Sequence, residues 1–388
     1  MKDSGQIDEL LNRGVAEVID RRHLETRLRR GDKLRVKLGI DPTGAKLHLG
    51  HAVVLRLLRR FQDLGHTAVL IIGDTTAMIG DPSGRNETRP PLTEKDIAKN
   101  VATYERQALK ILDRKRIEFR WQSEWFKKFK LNDVIREASK LSAGWITSHE
   151  TFRQRLKNGQ PLAFHELFYP MIQAYDSVAV KADVELGGLD QKFNILTGRE
   201  LMRTHDLEPQ DIVLAKYLVG TDGQKMGKSL GNFIAIEEDP FAMFGKIMAM
   251  PDAVLRDYFE LATEVPLADL QKMQMSGTEA RNTKMFLARK IVEAYHGVAK
   301  SNVAMKKWDN FLSGVVVGTP RKLGDLPNGT LIEFFGVFRL TSSKSEAQRL
   351  IQQGGVKVNG QVVKDIFFHL SAGDKVVFGK QKKTFVLK

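Results

Sequence analysis

Apolar positions along the chain fall into runs with changing period. Between residues 5 and 30, Ile7, Leu10, Leu11, Val15, Val18 and Ile19 recur at helical spacing and predict a helix. Val36 to Ile40 is a short strand, Asp41-Pro42-Thr43-Gly44 a turn, and His48 to Leu64 a second helix. Thr67 to Ile72 is almost continuously apolar, as suits a strand buried on both faces of a parallel sheet. It ends at Gly73-Asp74, and a second loop, Gly80-Asp81-Pro82-Ser83-Gly84, follows. Residues 94–113 read as helix and Arg116 to Trp121 as strand. This alternation predicts an α/β domain with a Rossmann-like, doubly wound parallel sheet.

Residues 122–185 interrupt the rhythm with helices, including Leu131 to Leu141 and His165 to Tyr175, and read as an insertion between two halves of the sheet. Residues 209–235 return to α/β character, so the first domain is placed at 1–235. An α-helical domain follows at 236–314, with Phe241, Phe244, Ile247, Leu255, Phe259, Phe286, Ile291 and Phe311 as core candidates. A stretch rich in Gly, Pro and basic residues reads as a linker at 315–329. Short helices at 331–337 and 345–353 come next. Val356 to Val363 then alternates around Asn359-Gly360, a strong hairpin signal. A small α+β domain is therefore expected at 330–388.

Charge adds a partner class. The chain of 388 residues carries a net charge of +14, with pI near 9.7, which favours a polyanionic partner, nucleic acid before membrane. Residues 330–388 hold ten Lys or Arg against four acids, nearly half of that excess. There are no cysteines, which excludes disulfides, thiolate metal sites and cysteine nucleophiles. No apolar run approaches the roughly 18 residues that span a bilayer. The N-terminus lacks an apolar signal core, so a cytoplasmic protein with no membrane partner is expected.

Two motifs carry the chemistry. His48-Leu49-Gly50-His51 opens a helix, where unpaired N–H groups and the helix dipole suit anions. His48 and His51 share a face at a spacing of three, and Gly50 leaves room for a purine or ribose. A metal-binding pair is the other reading, but further ligands are lacking nearby. Lys225-Met226-Gly227-Lys228-Ser229 comes about 180 residues later. It resembles the end of a P-loop, yet that motif needs glycine where Asp222 stands. Two lysines on a glycine-rich loop can instead close on a pyrophosphate and stabilise charge in a transition state.

Tyr169, Gln173 and Asp176 lie at helical spacing on one face, among Phe168, Met171 and Ile172. These segments, with Gly39-Ile40-Asp41-Pro42-Thr43, Gly80 to Gly84 and Gly187-Gly188-Leu189-Asp190-Gln191, resemble the tyrosyl enzymes among the class I aminoacyl-tRNA synthetases. The resemblance runs from about residue 35 to the C-terminus, where the tail is similar to the S4-type RNA-binding module.

That resemblance implies activation of L-tyrosine by ATP with Mg2+, then transfer of the tyrosyl group to tRNA(Tyr). Thr43, His48, His51, Lys225 and Lys228 would be catalytic. Gly50, Gly188, Asp190 and Met226 would join them around ATP. Asp81, Tyr169 and Gln173 would hold the α-amino group, Asp176 would accept the phenol, and Asp41, Gln191 and Lys37 would complete the tyrosine pocket. Many of these enzymes have tyrosine where Lys37 stands. A lysine there could donate to the phenol oxygen, pair with Asp176, or point away. A homodimer formed through residues around 122–168 is also implied, with no protein-bound metal. The rivals are another class I nucleotidyl transferase, such as a tryptophanyl enzyme, and a non-catalytic RNA-binding paralogue.

Overall fold

A computed structural model describes residues 4–83, 92–224, 226–227, 231–312, 316–317, 322–338, 340–341, 343–379 and 383–387. Gly84, Lys225, Lys228 and Ser229 lie outside the described residues. The chain divides into two compact units, residues 1–298 and 299–388.

The first unit is built on a six-stranded sheet. Its strands are β1 (Val15–Ile19), β2 (Arg35–Ile40), β3 (Thr67–Ile72), β4 (Ile117–Trp121), β5 (Val184–Gly188) and β6 (Asp211–Ala215). They lie in the order β1-β6-β5-β2-β3-β4, and β2 through β6 run parallel. Val36 is level with Ala68 on one side and Val184 on the other. Val36, Val69, Ile71, Val184 and all of β6 are buried, which explains the near-continuous apolar runs. The chain leaves β2 toward β3 and returns later to β5 on the other side. The carboxyl ends of β2 and β5 thus flank a topological switch point, where such sheets bind ligands. Helices from Ser123–Phe126 to Tyr169–Val180 lie between β4 and β5.

The expected helix over residues 5–30 is corrected. Helices at Ser4–Asn12 and Arg21–Arg30 flank β1, which pairs antiparallel with β6 at the sheet edge. Gly14 at φ +68° and Asp20 at φ +61° break the helix, and β-branched Val15, Val18 and Ile19 suit the strand between them. The Gly14 position is also tight: a Cβ there would lie 2.9 Å from Leu261.

Helices at Pro240–Ala249, Leu255–Ala262 and Ala280–His296 bury Phe244, Ile247, Leu255, Phe259 and Ile291 completely, while Phe241 is half-buried. Phe286 and Phe311 are not core residues, being 36% and 58% exposed. Phe286 lies one position off the buried stripe of Leu287, Ile291 and Tyr295, and stacks on Phe259 from the rim.

Within the second unit, β7 (Val316–Val317), β8 (Val356–Val358), β9 (Gln361–Val362), β10 (Lys375–Phe378) and β11 (Lys383–Val386) form a sheet in the order β7-β11-β10-β8-β9. Helices Leu331–Val337 and Lys344–Gln352 pack Leu331, Phe334, Phe335 and Ile351 against Val356 and Val376. The Asn359-Gly360 turn joins β8 to β9 with both residues at positive φ, the conformation that a two-residue hairpin requires.

Candidate active site

The helix after β2, α1 (Leu49–Asp63), starts at the switch point with His48 as its N-cap. His48 Nδ1 accepts from the backbone N–H of Gly50 at 3.2 Å, and His51 Nδ1 accepts from that of His48 at 3.2 Å. With both Nδ1 atoms accepting, each neutral ring carries its proton on Nε2, as a donor. The cap therefore sets the tautomer of both histidines at the positive end of a helix.

Residues 234–236, which follow the lysine motif in sequence, are joined to this cap. Leu49 N–H donates to Ile234 O at 3.0 Å, Ile236 N–H to Leu47 O at 3.0 Å, and His48 forms a β-bridge with Ala235. Asn232 Oδ1 accepts from Gly227 N–H at 2.9 Å, while its Nδ2 donates to Asp222 at 2.9 Å. Met226 reaches across to Gly50, where a Cβ would lie 3.1 Å from its sulfur and 3.0 Å from the His48 ring. Glycine at position 50 thus permits two motifs far apart in sequence to close on each other.

Between the ends of β2 and β5 lies a cavity of about 270 Å3. Its walls include Asp41, Thr43, His51, Asp81, Tyr169, Gln173, Asp176, Gly188, Asp190 and Gln191, all named from sequence. Tyr169, Gln173 and Asp176 come from one face of α2 (Tyr169–Val180). Tyr169 donates to Asp41 Oδ2 at 2.9 Å, and Thr76 donates to Asp41 Oδ1 at 2.7 Å. Burial, and then Asp41, raise the Tyr169 phenol well above its ordinary range, so it stays protonated. Its hydrogen is committed to Asp41, leaving its oxygen as an acceptor toward the cavity. Gln191 donates to Asp81 Oδ2 at 2.8 Å. Gln173 Oε1 is a buried acceptor with no partner.

Asp176 is 1% exposed. Gln122 Nε2 donates to its Oδ2 at 2.8 Å and Trp125 Nε1 to its Oδ1 at 3.2 Å. The Gln122 amide cannot flip, because its Oε1 accepts from the backbone N–H groups of Thr76 at 2.9 Å and Thr75 at 3.2 Å. Burial pushes the Asp176 carboxyl up to about 7, opposed by the Lys37 charge and the Gln122 hydrogen bond.

Lys37 does not line the cavity. It is fully buried behind α2, with Nζ 2.9 Å from Glu185 Oε1. Its ion-pair partner is Glu185, level with it on β5, and not Asp176. At the end of β5, Gly187 and Gly188 bring the backbone close. A Cβ on Gly187 would lie 2.6 Å from Ile195 and one on Gly188 2.8 Å from Asp190. The Tyr217 phenol lies against Asp190; burial, then that charge, push it up. Among the described residues, no three metal-ligating side chains converge.

Sequence reasoning missed Gln122, Trp125, Thr76, Glu185 and Tyr217. None sits in a recognisable motif. Only Tyr217 carried a local signal, two residues beyond the end of β6.

A doubly wound sheet whose switch point joins a histidine-capped helix to an amino-acid-sized cavity defines a class I aminoacyl-tRNA synthetase. Residues 29–313 match the tRNA synthetases class I (W and Y), to which the chain therefore belongs, and residues 339–376 match the S4 domain. Its relatives include the tyrosine–tRNA ligase of Dehalococcoides mccartyi, 43% identical over 97% of each chain. That of Thermotoga maritima is 43% identical over 96% of this chain and 95% of its own. The fold is shared with a C-terminally truncated mitochondrial tyrosyl-tRNA synthetase of Aspergillus nidulans. The TM-score is 0.69 at 22% identity, covering 80% of this chain and 94% of that one. It is shared too with the tyrosyl-tRNA synthetase of Archaeoglobus fulgidus complexed with L-tyrosine. There the TM-score is 0.60 at 19% identity, covering 78% of this chain and all of that one.

Proposed function

We infer that the chain is a tyrosine–tRNA ligase, which forms tyrosyl-adenylate from L-tyrosine and ATP and then charges tRNA(Tyr). The observation that carries this reading is the buried Asp176 carboxylate, held by two donors in a cavity that also carries Thr43 and His51. A phenol entering from the cavity donates to Asp176. Phenylalanine offers no such donor and leaves the carboxylate with Gln122 and Trp125 alone. Sites built to bond a hydroxyl reject the analogue lacking it by about 10⁴–10⁵, tyrosyl enzymes facing phenylalanine being the reference case.

The substrate's ammonium group needs acceptors, and the same cavity carries Asp81 and the Tyr169 oxygen, with Gln173 beside them. The tyrosine carboxylate then attacks the α-phosphorus of Mg·ATP in line, a P–O bond to the adenylate forms, and pyrophosphate leaves. Mg2+ arrives with ATP as part of the substrate. The histidine Nε2–H groups, Thr43 and the lysines at 225 and 228 stabilise charge on the phosphates. Asp190 and Gly188 meet the ribose and adenosine. No covalent protein intermediate is needed, since positioning and charge stabilisation supply the rate. The tRNA terminal hydroxyl next attacks the mixed anhydride and releases AMP.

The basic residues of 330–388 and the S4 match support a grip on tRNA by the tail. Leu131, Ile135, Leu156 and Phe164 on the insertion are 53–74% exposed, which supports a homodimer through that surface. The deciding experiment is ATP–pyrophosphate exchange with single amino acids. Tyrosine alone is expected to support it. Exchange with tryptophan, or with none, overturns the reading.

A further inference from the structure

We propose that Tyr217 is a positioning residue for ATP, its phenol holding the Asp190 carboxylate in the orientation that receives the ribose hydroxyls. The proposal rests on the reading above, in which Asp190 and Gly188 meet the ribose and adenosine, and extends it to a residue that belongs to neither motif.

Asp190 lines the cavity from a short turn, Leu189–Gln191, that follows β5. Tyr217 reaches it from the neighbouring strand. Gly188, the last residue of β5, is level with Ala215, the last residue of β6, and Tyr217 stands two positions further on. The two side chains converge over the bare Cα of Gly188, where a Cβ would lie 2.8 Å from Asp190 Oδ1 and 3.6 Å from Tyr217 Cε1. The phenol is within hydrogen-bond reach of both the carboxylate and the main-chain N–H of Asp190. Burial, then the Asp190 charge, keep it protonated. It therefore has a hydrogen to donate to the carboxylate and an oxygen to accept from the N–H. A group that bonds the main chain and the side chain of one residue fixes the torsions between them.

Tyr217 is firmly mounted. On one side, Lys216 N–H donates to Gly14 O and Lys216 Nζ to Glu260, both at 2.8 Å. On the other, Leu218 is buried and Val219 O accepts from the Tyr258 hydroxyl at 2.9 Å. Tyr217 itself is 47% exposed, so packing is a small part of its use. A carboxylate accepts at about four positions, and one bond to the phenol leaves room for the donors of a ribose.

The test is Tyr217→Phe, which removes the hydroxyl and keeps the ring, with Tyr217→Leu as a second variant. Pyrophosphate exchange is measured with ATP and with 2′,3′-dideoxy-ATP, which lacks both ribose hydroxyls. The wild type is expected to prefer ATP. Tyr217→Phe is expected to lower kcat/KM for ATP about fivefold, mostly through the ATP KM, with the dideoxy value and the tyrosine KM within about twofold. The preference for ATP then shrinks about fivefold, and Tyr217→Leu is expected to narrow it to the same extent. Equal losses with both nucleotides in Tyr217→Phe overturn the proposal, because the phenol would then support the site as a whole. An unchanged kcat/KM for ATP overturns it as well. A wild type without tyrosine-dependent exchange, or one that treats the two nucleotides alike, overturns the functional reading with its Asp190 assignment. A discriminating wild type whose preference both variants retain overturns the proposal alone.

Discussion

The two ends of the cavity are built on different plans. At the histidine end, one helix cap sets the geometry: His48 and His51 lie three residues apart, and their backbone bonds set both tautomers. At the phenol end, Asp176 depends on Gln122 and Trp125, more than fifty residues earlier in the chain. The first end is local, and the second is assembled from α2 and the segment after β4. A local device tolerates change around it, whereas an assembled one fails when any contributor moves.

The largest effect that separates the two ends is expected from Asp176→Ala. In pyrophosphate exchange it should lower kcat/KM for tyrosine about 10³-fold or more, mostly through KM. A loss confined to kcat would place the phenol elsewhere. His48→Ala should do the opposite, lowering kcat about 10²-fold with the tyrosine KM nearly intact. The same change removes a cap, for about 1 kcal/mol of stability in urea denaturation. His48→Asn should restore the cap and leave turnover low, which separates the structural role from the chemical one.

Removing residues 330–388 should leave exchange unchanged and lower the rate of tRNA charging about tenfold, with a weaker dependence on salt than the full chain. Normal charging by the truncated protein at physiological salt would remove the tail from the mechanism.

The smallest effect is a pH dependence. Burial holds the Asp176 carboxyl at about 7, above the ordinary value near 3.9. A raised carboxyl stabilises the fold fully below about pH 4, and that contribution is lost as pH rises through about 7. The stability of the wild type relative to Asp176→Asn should therefore fall between about pH 4 and 7. Tyrosine, which donates to the carboxylate, should bind at least about tenfold more tightly over the same rise, and the Asn variant should show no such trend.

The histidine cap was legible from sequence because its spacing is that of one helical turn. So was the helical face of Tyr169, Gln173 and Asp176, and so were the buried parallel strands, as continuous apolar runs. The edge strand β1 was not, because its apolar residues also fit a helix and only Gly14, Asp20 and pairing with β6 decide otherwise. The exposure of Phe286 likewise depends on which face its helix turns inward. Lys37 was legible as an anomaly, but its partner was not. Sequence by itself determined the sheet class, the histidine cap, the basic tail and most of the cavity wall, since each rests on short-range spacing or composition. Only the tertiary structure decided that Lys37 meets Glu185, that Gln122 and Trp125 hold Asp176, and that Met226 rests on Gly50. Those contacts join strands and loops tens to hundreds of residues apart, where no local period records which side chains will meet.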